Sequence, residues 1–412
     1  MKFLGLLLAT PLALAAPLLE PRGKIIPGKW IVVMKSDTEF DVNSERKRNV
    51  AVEALVTPQH TYSMGSFKAY AMDASDEMIN KIAKLDEVAY IEPDVMVEAT
   101  LTASEVNSPW GLARISSREP NATTYIFDDS AGADTWTYII DSGIYTDHPE
   151  FEGRATWGAS FVANDTNPTV DENGHGTHVA GTAGSKSYGV AKKTNLIAVK
   201  VLNAAGSGPL SQVIAGIQWV VNDATSKNRL NKSVANMSLG AVSIGNSSMS
   251  LAAAAAIDQG LFIAAAAGNG QIPVEFFSPA QYPTVCSIGA SAQDDARAYF
   301  SNYGNGIDLF APGVDVISTY NNGSTAILSG TSMAAPHITG LAAYLLNLEG
   351  DRDPVALCQR IQNLATKDVV TDSMSPNNMI AFNGASTSLL GAKVNLPVIG
   401  DISIDVGKIA TA

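Results

Sequence analysis

Between Trp110 and about residue 388, short and almost wholly apolar segments alternate with longer stretches of helical character. Residues 135–140, 195–201, 233–237 and 261–267 are short enough to be strands and too uniformly apolar for either face to meet water. Such strands are stable only when helices cover both sides. The pattern therefore predicts an α/β unit, a mostly parallel sheet flanked by helices, with its site at the carboxyl ends of the strands. Hydrophobic residues at 46% and charged residues at 16% suit a packed core and not a disordered chain.

At 412 residues the chain is longer than one such unit needs. Ahead of it, residues 29–35 read as a strand, 66–72 alternate, 76–85 are helical and 88–92 are again strand-like, which predicts a small α+β unit over 16–102. That unit has no His or Cys cluster, and its lone His60 reads as structural. Residues 97–106 are small and polar, the composition of an exposed linker open to proteolysis, so the larger unit is expected to span 103–388.

Met1 and Lys2 precede an apolar run that closes on Ala13-Leu14-Ala15, the pattern of a secretory leader over 1–15. At about 14 residues the run is too short to cross a bilayer. The apolar stretch 251–267 is interrupted by Asp258-Gln259-Gly260 and reads as a core helix, a turn and a buried strand, so no membrane partner is expected. Residues 389–412 form a tail without a pattern. A net charge of −13 repels phosphate backbones and argues against nucleic acid as a partner.

Cys286 and Cys358 are the only cysteines. In a secreted chain they most simply form one disulfide; two buried free thiols are the alternative. Asn121, Asn164, Asn231, Asn246 and Asn322 begin usable glycosylation sequons, whereas the sequon at Asn236 lies in an apolar strand, out of reach.

Three segments carry candidate chemistry. Tyr138-Ile139-Ile140-Asp141-Ser142-Gly143 delivers a carboxylate at a strand end, which by itself is as consistent with a turn. Gly174-His175-Gly176-Thr177-His178 places two histidines three apart, but no Glu or Cys accompanies them as in a zinc motif. Leu328-Ser329-Gly330-Thr331-Ser332-Met333-Ala334 leads a glycine turn into a helix whose first turn presents Ser332, where main-chain N–H groups can meet an oxyanion. An esterase elbow is close in pattern. Those enzymes run Ser, acid, His, whereas the order here is Asp, His, Ser.

Together these segments resemble the subtilisin-like serine proteases, in their proteinase K branch. Residues 107–117 (Asn-Ser-Pro-Trp-Gly-Leu-Ala-Arg-Ile-Ser-Ser), 148–154 and 188–193 are similar to that branch as well, and the resemblance covers roughly residues 25–390. It implies a subtilisin-like catalytic domain behind a propeptide that inhibits the enzyme, assists its folding and is removed by self-cleavage. It implies Ser332 as nucleophile, His175 as general base, Asp141 as the group that orients and charge-stabilises His175, and Asn269 as an oxyanion donor beside the Ser332 N–H.

The resemblance further implies that Gly206-Ser207-Gly208 and Ser238-Leu239-Gly240 hold a peptide as an added strand. Ala266, Ala267 and Gly268 would wall a pocket for a large apolar side chain before the cut. No cofactor is expected for catalysis. A structural calcium is, on the carbonyls of Pro283 and Val285 and the carboxylate of Asp308, and Cys286 and Cys358 match a disulfide of the branch. The expected product is a secreted, glycosylated, monomeric endopeptidase, extracellular or vacuolar, with protein and peptide substrates and its own propeptide as inhibitor. Two other classes remain open: a catalytically silent relative that only binds, and a cysteine peptidase using Cys286, which requires a free thiol near His175.

Overall fold

Alternation along the first strand organises the small unit. Val32 and Met34 of β1 (Ile25–Met34) face the same side as Tyr70 and Met72, and that side is buried. The strands β2 (His60–Met64), β3 (Phe67–Asp73) and β4 (Val88–Val95) complete an antiparallel sheet in the order β2-β3-β1-β4. The helix α1 (Asp76–Ile82) covers it with Ile79 and Ile82, and Ser75 caps α1 by accepting the Met78 N–H at 3.3 Å. The computed structural model describes residues 15–18, 25–35, 58–64, 67–95, 102–243, 245 and 247–385, and divides the chain into units 1–99 and 100–412. Residues 1–14 of the expected leader, 97–101 of the linker, Asn246 and the tail lie outside the described residues.

The polar segment read as an open linker is in part a strand. Residues of β5 (Thr102–Val106) pair antiparallel with β6 (Thr124–Asp128), so main-chain hydrogen bonds order a stretch whose side chains carry no apolar pattern. Between them α2 (Trp110–Ile115) is almost fully buried.

Nine strands form the large sheet in the order β18-β19-β15-β14-β12-β10-β7-β9-β8. They are β7 (Trp136–Asp141), β8 (Ala155–Ser160), β9 (Asn195–Lys200), β10 (Ser233–Met237), β12 (Phe262–Ala266), β14 (Cys286–Ser291), β15 (Leu309–Pro312), β18 (Thr366–Lys367) and β19 (Met379–Ile380). Every pairing is parallel except that of β18 with β19. Two smaller pairs, β11 (Ala241–Val242) with β13 (Phe277–Ser278) and β16 (Val316–Thr319) with β17 (Thr325–Leu328), lie outside it.

Helices α3 (His175–Gly184), α4 (Leu210–Ser226), α5 (Ser248–Asp258), α6 (Thr331–Glu349) and α7 (Pro354–Leu364) cover the sheet. Ile263 and Ala265 of β12 share a core with α4 and α5, while Phe262, Ala264 and Ala266 face α6 and α7. The strands are apolar throughout because both faces are covered, as the sequence pattern required. The expected helix, turn and strand of 251–267 are α5 and β12. Asn236 is fully buried, whereas Asn121, Asn164, Asn231 and Asn322 are exposed.

Cys286 at the start of β14 is bonded to Cys358 on α7, 72 positions along the chain. Closing so long a loop stabilises the fold by about 4 kcal/mol through the unfolded chain. It also removes Cys286 as a nucleophile.

His178 and His337 are buried within this core. His178 directs Nε2 at the carbonyls of Val316 (3.0 Å) and Ala326 (3.2 Å), and His337 pairs Nδ1 with the Met333 carbonyl at 2.8 Å. Burial pulls each imidazole down to about 4, against those hydrogen bonds. An unfolded histidine protonates near 6.5, so between pH 6.5 and 4 the unfolded chain takes up protons that the native state refuses. Stability should fall over that window by on the order of 3 kcal/mol per histidine. The raised carboxyl of Asp308 acts in the opposite sense below about pH 6 but offsets only one of the two histidines, so thermal unfolding midpoints measured from pH 7 to 4 are expected to drop, and a midpoint flat across that range would contradict it.

Candidate active site

The site forms where the parallel strands end. Ile139 packs with α3 and Ile140 with α4, so alternation turns the next residue, Asp141, toward α3. Asp141 is fully buried. Its Oδ1 accepts the Ser142 N–H at 2.7 Å and pairs with His175 Nδ1 at 2.8 Å; its Oδ2 meets no donor among the described residues. A Cβ on Gly176 would stand 2.1 Å from the Gly143 carbonyl oxygen, so glycine there lets α3 approach the turn after β7 and bring imidazole to carboxylate.

His175 opens α3, and 26% of its side chain is exposed. Burial draws its imidazolium down, but the charge and hydrogen bond of Asp141, with the charge of Asp171, outweigh this and raise its pKa above the ordinary 6.5. His178, one turn on, is committed to main-chain carbonyls, so the two histidines do not form a ligand pair.

Ser332 lies in the first turn of α6. Pro336, four residues on, lacks the N–H that would bond the Ser332 carbonyl, and the Ser238 hydroxyl donates to that carbonyl at 2.7 Å instead. The Ser332 hydroxyl donates in turn to the Ser238 carbonyl at 3.1 Å. Its one proton is thereby taken by a main-chain acceptor and not by His175, the general base that the resemblance implies. Both side chains nevertheless line one cleft of about 540 Å³.

Asn269 follows β12. Its Oδ1 accepts the N–H of Thr331 at 2.8 Å and the Thr331 hydroxyl at 2.9 Å, and the same hydroxyl oxygen accepts the Gly268 N–H at 3.1 Å. Tying down the oxygen leaves the amide nitrogen as the free end. A Cβ on Gly330 would lie 3.4 Å from Asn269 Nδ2 and 3.6 Å from Ser332 N, so both donors border a gap that only glycine leaves open.

Gly206, Ser207 and Gly208 line one part of the cleft and Ser238, Leu239 and Gly240 another. Leu202, Leu210, Val213 and Met249 add apolar wall, and among the described residues of the lining His175 is the only titratable one. Ala266, Ala267 and Gly268 are not among the lining residues; Ala266 and Ala267 pack into the two cores.

Asp308, just before β15, accepts the Ser287 N–H at 2.8 Å and the Gln362 amide at 2.7 Å. Burial pushes its carboxyl up to about 6 against those two bonds. A half-buried carboxylate, beside the strand that follows exposed Pro283 and buried Val285, is an oxygen donor of the kind a hard cation takes. The nearby sulfurs are closed in the disulfide and cannot act as thiolate ligands.

Sequence reasoning missed Thr331, Gly330 and Asp171. Thr331 and Gly330 stood inside a segment already singled out, yet their roles come from contacts with residue 269, some sixty positions away.

The sequence profile of the Subtilase family matches residues 134–383, and that of Peptidase inhibitor I9 matches residues 29–100. The chain is 46% identical over 374 residues to the subtilisin-like serine protease AsES of Sarocladium strictum, covering 90% of this chain and 93% of that one. It is 44% identical over 372 residues to a cuticle-degrading protease of Metarhizium anisopliae, with the same two coverages. The crystal structure of a cold adapted subtilisin-like serine proteinase superposes with a TM-score of 0.64 at 38% identity, covering 68% of this chain and all of that one.

A methyl group on Gly330 would sit in the gap between the two donors. Gly330→Ala is expected to leave thermal unfolding nearly unchanged and to lower kcat by roughly 10²-fold or more, the loss that follows removal of an oxyanion donor. Steady-state kinetics on a peptide substrate check this; an unaltered kcat would mean that the gap holds no reacting atom.

Proposed function

The chain belongs to the subtilase family of serine peptidases, and from that premise we propose that it is a secreted endopeptidase of broad specificity in which Asp141, His175, Ser332 and Asn269 carry the reaction. The observation that supports the reading most is the 2.8 Å bond between buried Asp141 and His175 Nδ1, in a cleft that also presents Ser332.

Rotation about the Cα–Cβ bond of Ser332 turns its hydroxyl from the Ser238 carbonyl toward His175 Nε2. Neutral imidazole takes the proton as Oγ attacks the peptide carbonyl, and Asp141 stabilises the imidazolium that results. The oxyanion is held by the Ser332 N–H and Asn269 Nδ2. His175 then gives the proton to the leaving amine, and water repeats the sequence on the acyl-enzyme.

A peptide added as a strand along Gly206–Gly208 and Ser238–Gly240 is held by its main chain, which tolerates many sequences. The apolar cleft wall of Leu202, Leu210, Val213 and Met249 favours large apolar side chains. The leader over 1–15, the disulfide and the exposed sequons support secretion and glycosylation, to the outside or a vacuole. The inhibitor unit supports a zymogen that cleaves itself near residue 102.

Asp308, with the carbonyls of Pro283 and Val285, would hold a calcium whose contribution is stability. Chelation is expected to shorten the half-life at elevated temperature without changing the initial rate at 25 °C; an unaltered half-life removes the site.

Ser332→Ala should accumulate with its propeptide attached and resist labelling by a fluorophosphonate, while the native chain matures unaided and is labelled. Because His175 must be neutral, kcat/KM should fall as pH drops through a value above 6.5. Efficient unaided maturation of Ser332→Ala would overturn the assignment.

A further inference from the structure

Asp171 takes no part in the chemistry described above, yet it is 3% exposed and accepts five hydrogen bonds. Its Oδ1 receives the Ser142 hydroxyl at 2.9 Å and the N–H groups of Asn173 (3.2 Å) and Gly174 (2.9 Å). Its Oδ2 receives the N–H of Thr177 at 2.9 Å and the Thr177 hydroxyl at 2.6 Å. These donors belong to two separate pieces of chain. Ser142 is the neighbour of Asp141 at the end of β7, whereas Asn173, Gly174 and Thr177 bracket His175 at the start of α3. The Ser142 hydroxyl oxygen also accepts the Gly176 N–H at 3.0 Å, so the two pieces are joined both through Asp171 and directly.

We infer that Asp171 is a positioning residue for catalysis, whose buried carboxylate locks the turn carrying Asp141 to the helix turn carrying His175 so that the two meet at 2.8 Å before substrate arrives. The inference rests on the proposed roles of Asp141 and His175.

Asp171 is itself held in place. The ammonium of Lys200, at the end of β9, takes the carbonyls of Asn167 (3.2 Å) and Val170 (2.9 Å) and pairs with Asp165 (3.1 Å) and Glu172 (3.4 Å), gathering the loop around one buried cation. From the β16–β17 side, Asn321 donates to the Asp171 carbonyl at 2.9 Å and Tyr320 to the Asn173 carbonyl at 3.1 Å. Five donors fix the carboxylate near His175, where its charge acts in the same sense as that of Asp141. The other titratable groups around the imidazole are His178, one turn along α3 and held neutral by burial, Glu172, engaged with Lys200, and Tyr320, engaged with Asn173.

The test compares native chain, Ser142→Ala and Asp171→Asn, matured where necessary by immobilised native enzyme, using kcat and KM on a chromogenic peptide and fluorophosphonate labelling rates from pH 5 to 9. In Asp171→Asn an amide replaces one oxygen and opposes a donor, and the anion near His175 is gone. Its kcat should fall by roughly 10²-fold with KM nearly unchanged, the cost of a small misplacement of reacting groups, and its acid limb should move to lower pH. Ser142→Ala keeps the anion and breaks only the link, so kcat should fall by roughly 10-fold with the acid limb in place. If Asp171→Asn does not fold, Ser142→Ala decides alone. Folded variants with native kcat and native acid limbs overturn the inference while the native chain still labels at Ser332; a native chain that neither cleaves nor labels overturns the catalytic reading instead.

Discussion

A negative charge buried at the end of a parallel strand is the constraint around which the large unit is arranged. Asp141 has no exposed surface, and an ionised carboxylate in such a place is tolerated only with donors and a partner that can carry positive charge. The strand supplies one donor through Ser142, and α3 supplies the imidazole. The close approach of α3 to the turn after β7, the glycine at 176 and the hydrogen-bonded loop ahead of the helix are all conditions for that pairing.

The nucleophile side is built from main-chain hydrogen-bonding groups that secondary structure leaves unused. Pro336 frees the carbonyl of Ser332 from its helix, and Ser238, just past β10, takes it over. Thr331 ties Asn269 and Gly268 to the first turn of α6. Residues from the ends of β7, β10 and β12 are thereby fixed relative to two helix starts. Short local bonds achieve this, and among the described residues that line the cleft His175 is the only titratable one.

Stability and chemistry make opposite demands on histidine in the same core. His178 and His337 are held neutral by burial, which links the fold to mildly acidic protons, whereas His175 sits beside two carboxylates that favour its protonated form. Residues three positions apart on α3 thus titrate in opposite directions because the charges of Asp141 and Asp171 outweigh burial at His175, whereas burial outweighs the main-chain hydrogen bonds at His178.

Much of this was legible in the chain itself. Uniformly apolar segments required a sheet covered on both faces, and period-two alternation then turned Asp141 away from Ile140. The order Asp, His, Ser together with glycine at 174, 176 and 330 marked the segments that meet. Other features depended on contacts between distant positions. The strand at 102–106 carries no apolar signal, because its order comes from main-chain pairing with β6. The hydroxyl of Ser332 points to a carbonyl ninety-four positions away, a choice of rotamer that residue types do not encode. Asp171 resembles any loop aspartate until five donors from two pieces of chain converge on it. Residue types and their periodicity determine which surfaces must be buried, since that is a local property of side chains; which polar atom satisfies which is decided only when the folded chain brings distant donors and acceptors within about 3 Å.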